Sequence, residues 1–236
     1  VRLACGGETW VVSGDYKTEP DRTCAPFEAV ECDVFITEST FGLPVYRWPD
    51  ERRVFDRINA WWRVNRDHGW TSVLYVYALG KAQRALSGLD DSIGPILLHG
   101  AVAAMTEAYR EAGVALPAAR RATESLAKAN RGQAMVIAPL STNGSSWLQK
   151  FNPVSTAFAS GWMAVRGARR RRSVDRGFVL SDHADWPGLH AAIHATGARR
   201  IGVTHGFVDS FVRWLGERGY EAFAMPTRYE GELEAG

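Results

Sequence analysis

Trp10–Gly42 reads WVVSGDYKTEPDRTCAPFEAVECDVFITESTFG, and the rest of the chain is organised around this stretch. Trp10–Ser13 and Val34–Thr37 are short, rich in β-branched residues and bounded by turn formers, a pattern that predicts buried strands. Each delivers an acid just past its carboxyl end, Asp15 after Ser-Gly and Glu38 after Ile-Thr. In layered α/β proteins the crevice beyond those ends is where ligands bind. Two carboxylates placed there can hold a metal or tune a histidine.

Downstream, Val54, Phe55, Ile58, Trp61 and Trp62 recur with the spacing of one helical face, which predicts an amphipathic helix over residues 49–67. Strands follow at Val73–Tyr77, Pro95–Leu98 and Ala134–Ala138. Helices are expected at Lys81–Leu86, Ala101–Glu111 and Ala118–Asn130, then a loop over Pro139–Gly144 and a strand over Thr156–Val165. After a basic run, strands Phe178–Leu180, Arg200–Val203 and Glu221–Ala224 alternate with helices Trp186–Thr196 and Phe207–Arg218. Such alternation argues for an α/β protein with a parallel sheet covered by helices.

SGDYKTEPD (13–21) and ITESTFG (36–42), with SDHADW (181–186) near the other end, resemble the metallo-β-lactamase fold in its β-CASP nuclease branch. Within it they are most similar to the ligase-associated DNA exonucleases. The resemblance implies αββα-type layers interrupted by a β-CASP insertion carrying its own parallel sheet. Residues 1–44 and 174–236 would be the metallo-β-lactamase parts and 45–173 the insertion. It also implies a zinc-dependent hydrolase with two ions that cleaves phosphodiester bonds in DNA repair, with DNA as partner, RNA as the alternative, and a DNA ligase as associate. The family places an H-x-H-x-D-H metal motif upstream of the Ser-Gly-Asp turn, and no such motif occurs here. With Val1 entering almost directly into a strand, the chain reads as a fragment lacking that region and inactive alone.

Site roles come from the same resemblance. Asp15, otherwise an ordinary turn residue, would bridge the two ions. His205, in Val-Thr-His-Gly before a helix, would be a ligand through a ring nitrogen, with Gly206 permitting close approach. His183 would be the general acid, and Glu38 the carboxylate that raises its pKa. On residues alone, Ser181 or Asp182 reads as a cap for the next helix.

Other signals carry less. His190 and His194 share the spacing of H-E-x-x-H, but Ala191 stands where the glutamate is needed. His99-Gly100 copies the strand-His-Gly-helix pattern inside the insertion, where packing or substrate contact is expected. Leu79–Ala82 lacks the residues of a phosphate loop. Arg166, Arg169, Arg170, Arg171, Arg172 and Arg176 form the strongest charge cluster, either a solvated loop or a grip on a nucleic-acid backbone.

Composition narrows the classes. No apolar run reaches membrane-span length and no signal peptide opens the sequence. Cys5, Cys24 and Cys32 are odd in number and lack C-x-x-C spacing, so a disulfide framework is not expected and a reducing cytoplasm is. A net charge of +2 does not announce a nucleic-acid binder. A ribonuclease of the same branch, or a scaffold that kept the fold and lost its metals, are the rival readings.

Overall fold

The computed structural model describes residues 1–165 and 173–226. The chain divides into two units, one made of Val1–Pro20, Pro26–Arg47 and Ser181–Gly236, the other of Asp21–Ala25 and Trp48–Leu180.

The first unit holds β1 (Arg2–Cys5), β2 (Glu8–Val12), β3 (Val34–Ser39), β10 (Arg200–Gly206) and β11 (Glu221–Ala224) in the order β1-β2-β3-β10-β11. β1 and β2 form an antiparallel hairpin, and every other pairing in this sheet is parallel. β3 is buried along its whole length because strands flank it on both sides. β2 is less enclosed than the sequence led one to expect: Val11 alone is fully buried, since the neighbouring β1 is an exposed edge. The helix Trp186–Thr196 starts at the Asp185 cap, whose side chain accepts from Gly188 N at 2.9 Å, and ends at Gly197 with φ +66°. The cap is therefore Asp185 and neither Ser181 nor Asp182, because Pro187 sets the first turn two residues further on. The helix Val208–Glu217 follows β10. Phe35, Leu189, Ile193, Ile201, Val203, Phe211 and Leu215 form the core of this unit.

The second unit is built on a sheet ordered β6-β5-β7-β4-β8-β9, parallel throughout. Its strands are β4 (Thr71–Tyr75), β5 (Ile96–Leu98), β6 (Ala119–Arg121), β7 (Met135–Ala138), β8 (Val154–Ala159) and β9 (Arg176–Phe178). Numbered from the amino terminus, α1 (Glu51–Asp67), α2 (Lys81–Ser87), α3 (Gly100–Glu111), α4 (Glu124–Ala129) and α5 (Ser146–Gln149) connect them, so the helices above become α6 (Trp186–Thr196) and α7 (Val208–Glu217). α1 buries Val54, Ile58, Trp61 and Trp62. Both indoles can go inside because each N–H has an acceptor, Ser155 Oγ at 3.1 Å and the Gln133 carbonyl at 2.9 Å.

Three elements differ from expectation. The helix expected over 118–130 is β6 followed by α4: residues 119–121 pair with β5, and the Thr123 hydroxyl caps α4 by accepting from Leu126 N. The strand expected over 156–165 stops at Ala159, and Gly161–Ala164 is a 3₁₀ turn. The strand expected at 178–180 is shifted to 176–178 and pairs with β8, so it belongs to the second unit rather than to the carboxyl-terminal segment. Asp175 fixes that pairing by accepting from Thr156 N and Oγ1 at 2.8 and 2.9 Å.

A buried charge ties Asp21–Ala25 into this unit. Arg84, at 4% side-chain exposure, meets Glu51 at 2.7 Å and Asp21 at 3.6 Å, and Asp21 also accepts from Thr23 N and Oγ1. Neither Arg84 nor Asp21 has a hydrophobic pattern to announce its burial. Among the described residues no helix is long and apolar enough to cross a membrane, and Cys5, Cys24 and Cys32 are free thiols.

Candidate functional site

Three parts of the first unit converge beyond the carboxyl ends of β2, β3 and β10. β2 leads into Ser13-Gly14-Asp15, where Gly14 takes φ +64°, a left-handed turn that suits glycine. Asp15 emerges exposed and Tyr16 goes back inside, 8% exposed, its ring stacked on Phe27 at 4.9 Å and its hydroxyl hydrogen-bonded to Thr37 at 2.9 Å. The Tyr16 backbone joins the other two parts. Its N–H donates to Glu38 Oε1 at 3.1 Å, and its carbonyl accepts from Ala184 N at 2.6 Å.

Glu38 is 1% exposed, a position a carboxylate tolerates only when its oxygens are satisfied. They are. Oε1 accepts from Tyr16 N, Oε2 from Thr40 N at 3.3 Å, and His183 Nδ1 stands 2.9 Å from each oxygen. An ionised carboxylate only accepts, so Nδ1 carries the proton and donates. This fixes the tautomer of His183, with the Nδ1 proton turned to Glu38. The Phe41 ring meets the imidazole edge-on at 5.7 Å, and Ser181 Oγ accepts from His183 N at 3.1 Å.

His205 is placed differently. The pairing of β10 with β3 runs regularly to Thr204↔Glu38 and then shifts, so that Gly206 pairs with Ser39 and His205 is the extra residue of a bulge. Its φ of +55° is uncommon for a residue with a side chain, and bulges of this kind re-aim one. Ser39 pins the bulge: its hydroxyl donates to the His205 carbonyl, and its own carbonyl accepts from Phe207 N at 2.9 Å. Gly206, at φ +77°, lies so close to Ser39 that a Cβ would strike the Ser39 backbone.

Asp15, Glu38 and His183 form a group that could hold a metal ion, each offering a donor atom within 4.8 Å of the other two. His205 is outside that group of three. Within it Glu38 is the poorest candidate, because backbone amides and the imidazole already occupy both oxygens. Thr204 Oγ1 is buried without a hydrogen-bond partner, and Thr204 pairs in register with Glu38, so both side chains leave the sheet on one face. Carboxylate oxygens and an imidazole nitrogen, the donors that Asp15, Glu38 and His183 bring together, are ordinary ligands for a divalent cation.

The remaining sequence candidates sit elsewhere. His190 packs in an aromatic cluster, stacked on Trp214 at 3.9 Å with Trp186 edge-on at 4.3 Å. Burial, with Arg218 and Arg47 adding repulsion, pulls its pKa down to about 4. His194 instead lines a shallow hollow with Cys32 and Asp33. Lys81 is buried, its ammonium 4.4 Å from the Tyr77 ring centre. Arg166, Arg169, Arg170, Arg171 and Arg172 lie outside the described residues, and Arg176 is exposed at the start of β9. Sequence reasoning missed Tyr16, Ser39 and Thr40, whose contributions are largely backbone. Their only signal was membership in the two quoted motifs.

A search of family models finds no match. The chain is 31% identical over 224 residues, 95% of its length, to a protein of Opitutus terrae named "Probable DNA ligase", and that match covers 21% of the Opitutus protein. It is 35% identical over 92 residues, 38% of its length, to Endoribonuclease ysh1 of Aspergillus fumigatus, covering 10% of it. Among solved structures, a protein of unknown function from Enterococcus faecalis V583 shares the fold at TM-score 0.57 and 11% identity, over 98% of this chain and 59% of that one. The chain thus spans about a fifth and a tenth of the two sequence relatives and is similar to parts of each.

Proposed function

We propose that this chain is part of a metal-dependent nuclease of the metallo-β-lactamase fold, β-CASP branch, that hydrolyses phosphodiester bonds as a ligase-associated DNA exonuclease. In this reading the unit bearing Asp15, Glu38, His183 and His205 is the metallo-β-lactamase part, and the unit of Trp48–Leu180 is the β-CASP insertion. The observation that carries it is the saturated Glu38 carboxylate beneath His183. A buried acid spent on one ring nitrogen is a device for holding a proton at the other.

His183 holds that proton at Nε2 and gives it to the leaving oxygen. Glu38 keeps the ring oriented and favours its charged form, which a proton donor near neutral pH needs. Asp15 and His205 would hold zinc, with the Ser39–Gly206 contact fixing the reach of His205. When bound, divalent ions supply a Lewis acid that activates water and offsets charge developing at phosphorus. Arg166, Arg169–Arg172 and Arg176 would hold the backbone without reading sequence.

DNA is placed first because the match to the Opitutus protein extends over nearly the whole chain. The match to an endoribonuclease favours RNA as a second reading. The test is release of nucleotides from end-labelled DNA and RNA of equal length, with zinc and with a chelator, using the complete protein. Zinc-dependent release of DNA nucleotides supports the exonuclease, and preferential RNA cleavage supports the second reading. A zinc-loaded protein that cuts neither leaves a non-catalytic scaffold and ends the proposal.

A further inference from the structure

The second unit gathers positive charge at the carboxyl ends of β5 and β6. His99 ends β5 and caps α3, its Nδ1 accepting from Ala101 N at 3.2 Å. A ring nitrogen that accepts carries no proton, so neutral His99 has its proton on Nε2 and presents a donor. Arg121, the last residue of the edge strand β6, lays its exposed guanidinium against Gly100, 3.4 Å from where a Cβ would stand. Lys150 reaches the same place from the segment after α5, its ammonium 4.5 Å from the centre of Trp147, whose ring meets His99 edge-on at 4.8 Å. Among the described residues neither Arg121 nor Lys150 forms an ion pair. The acid that acts on Lys150 is Glu124, at the exposed start of α4.

We propose that His99, Arg121 and Lys150 form a second phosphate-binding site, which holds a phosphate of a nucleic-acid strand and does no chemistry on it. Three donors of different shape converge: a guanidinium that can grip two oxygens, a point charge on a lysine, and an imidazole N–H whose direction the helix cap fixes. Two cations set around one imidazole repel its charged form, and an anion bound among them removes that repulsion. The same repulsion is visible on His99, whose pKa is held below the ordinary range by burial first, then by Lys150 and Arg121. The nuclease reading supplies only the source of the phosphate, since the site itself stands on these side chains.

The experiment is an NMR titration of the His99 ring with inorganic phosphate, a mononucleotide, and a short oligonucleotide with and without a terminal phosphate, without added metal. Bound phosphate should raise the His99 pKa, because an anion favours the imidazolium. His99→Asn keeps a capping oxygen and loses the outward donor. That variant and Arg121→Gln should each weaken binding roughly three- to tenfold, the scale of one partly exposed charge-assisted hydrogen bond. Arg213→Gln, which removes a charge in the first unit, should leave it unchanged. A His99 signal that ignores every ligand, or variants that bind like the parent, overturns the site. Oligonucleotides that bind no better than inorganic phosphate overturn the nucleic-acid assignment. Phosphate binding without nuclease activity counts against the nuclease reading alone, and nuclease activity without phosphate binding against the site alone.

Discussion

His183 touches Glu38 through one nitrogen and both carboxylate oxygens, Nδ1 standing 2.9 Å from each across 145 residues of sequence. A ring held this way is committed to the carboxylate through Nδ1, which separates the proposed proton donor from the proposed metal ligand. In the complete protein His205→Ala should lower zinc content and turnover together. His183→Ala should keep its zinc and lose roughly 100- to 10,000-fold in turnover. Glu38→Gln should shift the alkaline limb of the pH–rate profile to lower pH without releasing zinc, since it removes the charge that favours imidazolium. A nitrophenyl phosphodiester, whose leaving group needs no proton, should narrow the His183→Ala deficit. Zinc loss in His183→Ala would move that residue to the ligands.

Gly206 offers a test of the bulge. Gly206→Ala places a methyl against the Ser39 backbone at φ +77°, a conformation costing about 1–3 kcal/mol for a residue with a side chain. Denaturant unfolding should register that loss, and zinc affinity should fall with it if the bulge sets the reach of His205. A variant as stable as the parent would show that β10 can take another register.

Arg84 meets both Asp21 and Glu51 in the buried cluster described above. Arg84→Leu should destabilise the protein by about 3–5 kcal/mol, because it removes the guanidinium that faces the buried Asp21 carboxylate. Adding Asp21→Asn should recover part of the loss. If the double variant is no better than the single, packing rather than charge explains Arg84.

His190 predicts a pH dependence. Its folded pKa of about 4 lies below the unfolded value near 6.5, so between those pH values the unfolded chain binds more protons. Its contribution to stability is therefore complete above about pH 6.5 and is lost as pH falls toward 4. Melting temperatures measured across that window should fall less steeply for His190→Phe, which fills the same aromatic cluster without a titrating ring. Equal slopes would place the acid sensitivity elsewhere.

How much of this could be read from sequence varies by residue. α1 was legible because Val54, Ile58, Trp61 and Trp62 repeat with helical period. β3 was legible because a short β-branched run between turn residues has few other uses. β6 was not: Ala119–Arg121 has no strand pattern and is a strand because β5 offers it an edge. The bulge at His205 was invisible for a related reason, since register is a property of two strands and Ser39 lies 166 residues away. Periodicity likewise never joined Asp15 and Glu38 to His183, and only the resemblance put those stretches in one place. Tyr16 and Thr40 act through peptide N–H groups, which every residue but proline possesses and no sequence pattern advertises.

The interruption of the first unit by Trp48–Leu180 bears on the order in which the protein is made. β4 to β9 are contiguous in sequence, and their pairings can begin to close as each helix leaves the ribosome. β3 waits: its partner β10 is synthesised only after residue 200, and its other neighbour, β2, pairs with it at just three positions. Until then the backbone edge of Val34, Phe35 and Ile36 that β10 will pair with stays open, an unpaired edge of the kind that aggregates. Slow, non-local closure follows for this sheet and faster closure for the other. Pulse-labelled hydrogen exchange during refolding should accordingly protect Val73 and Val136 before Phe35 and Ile201.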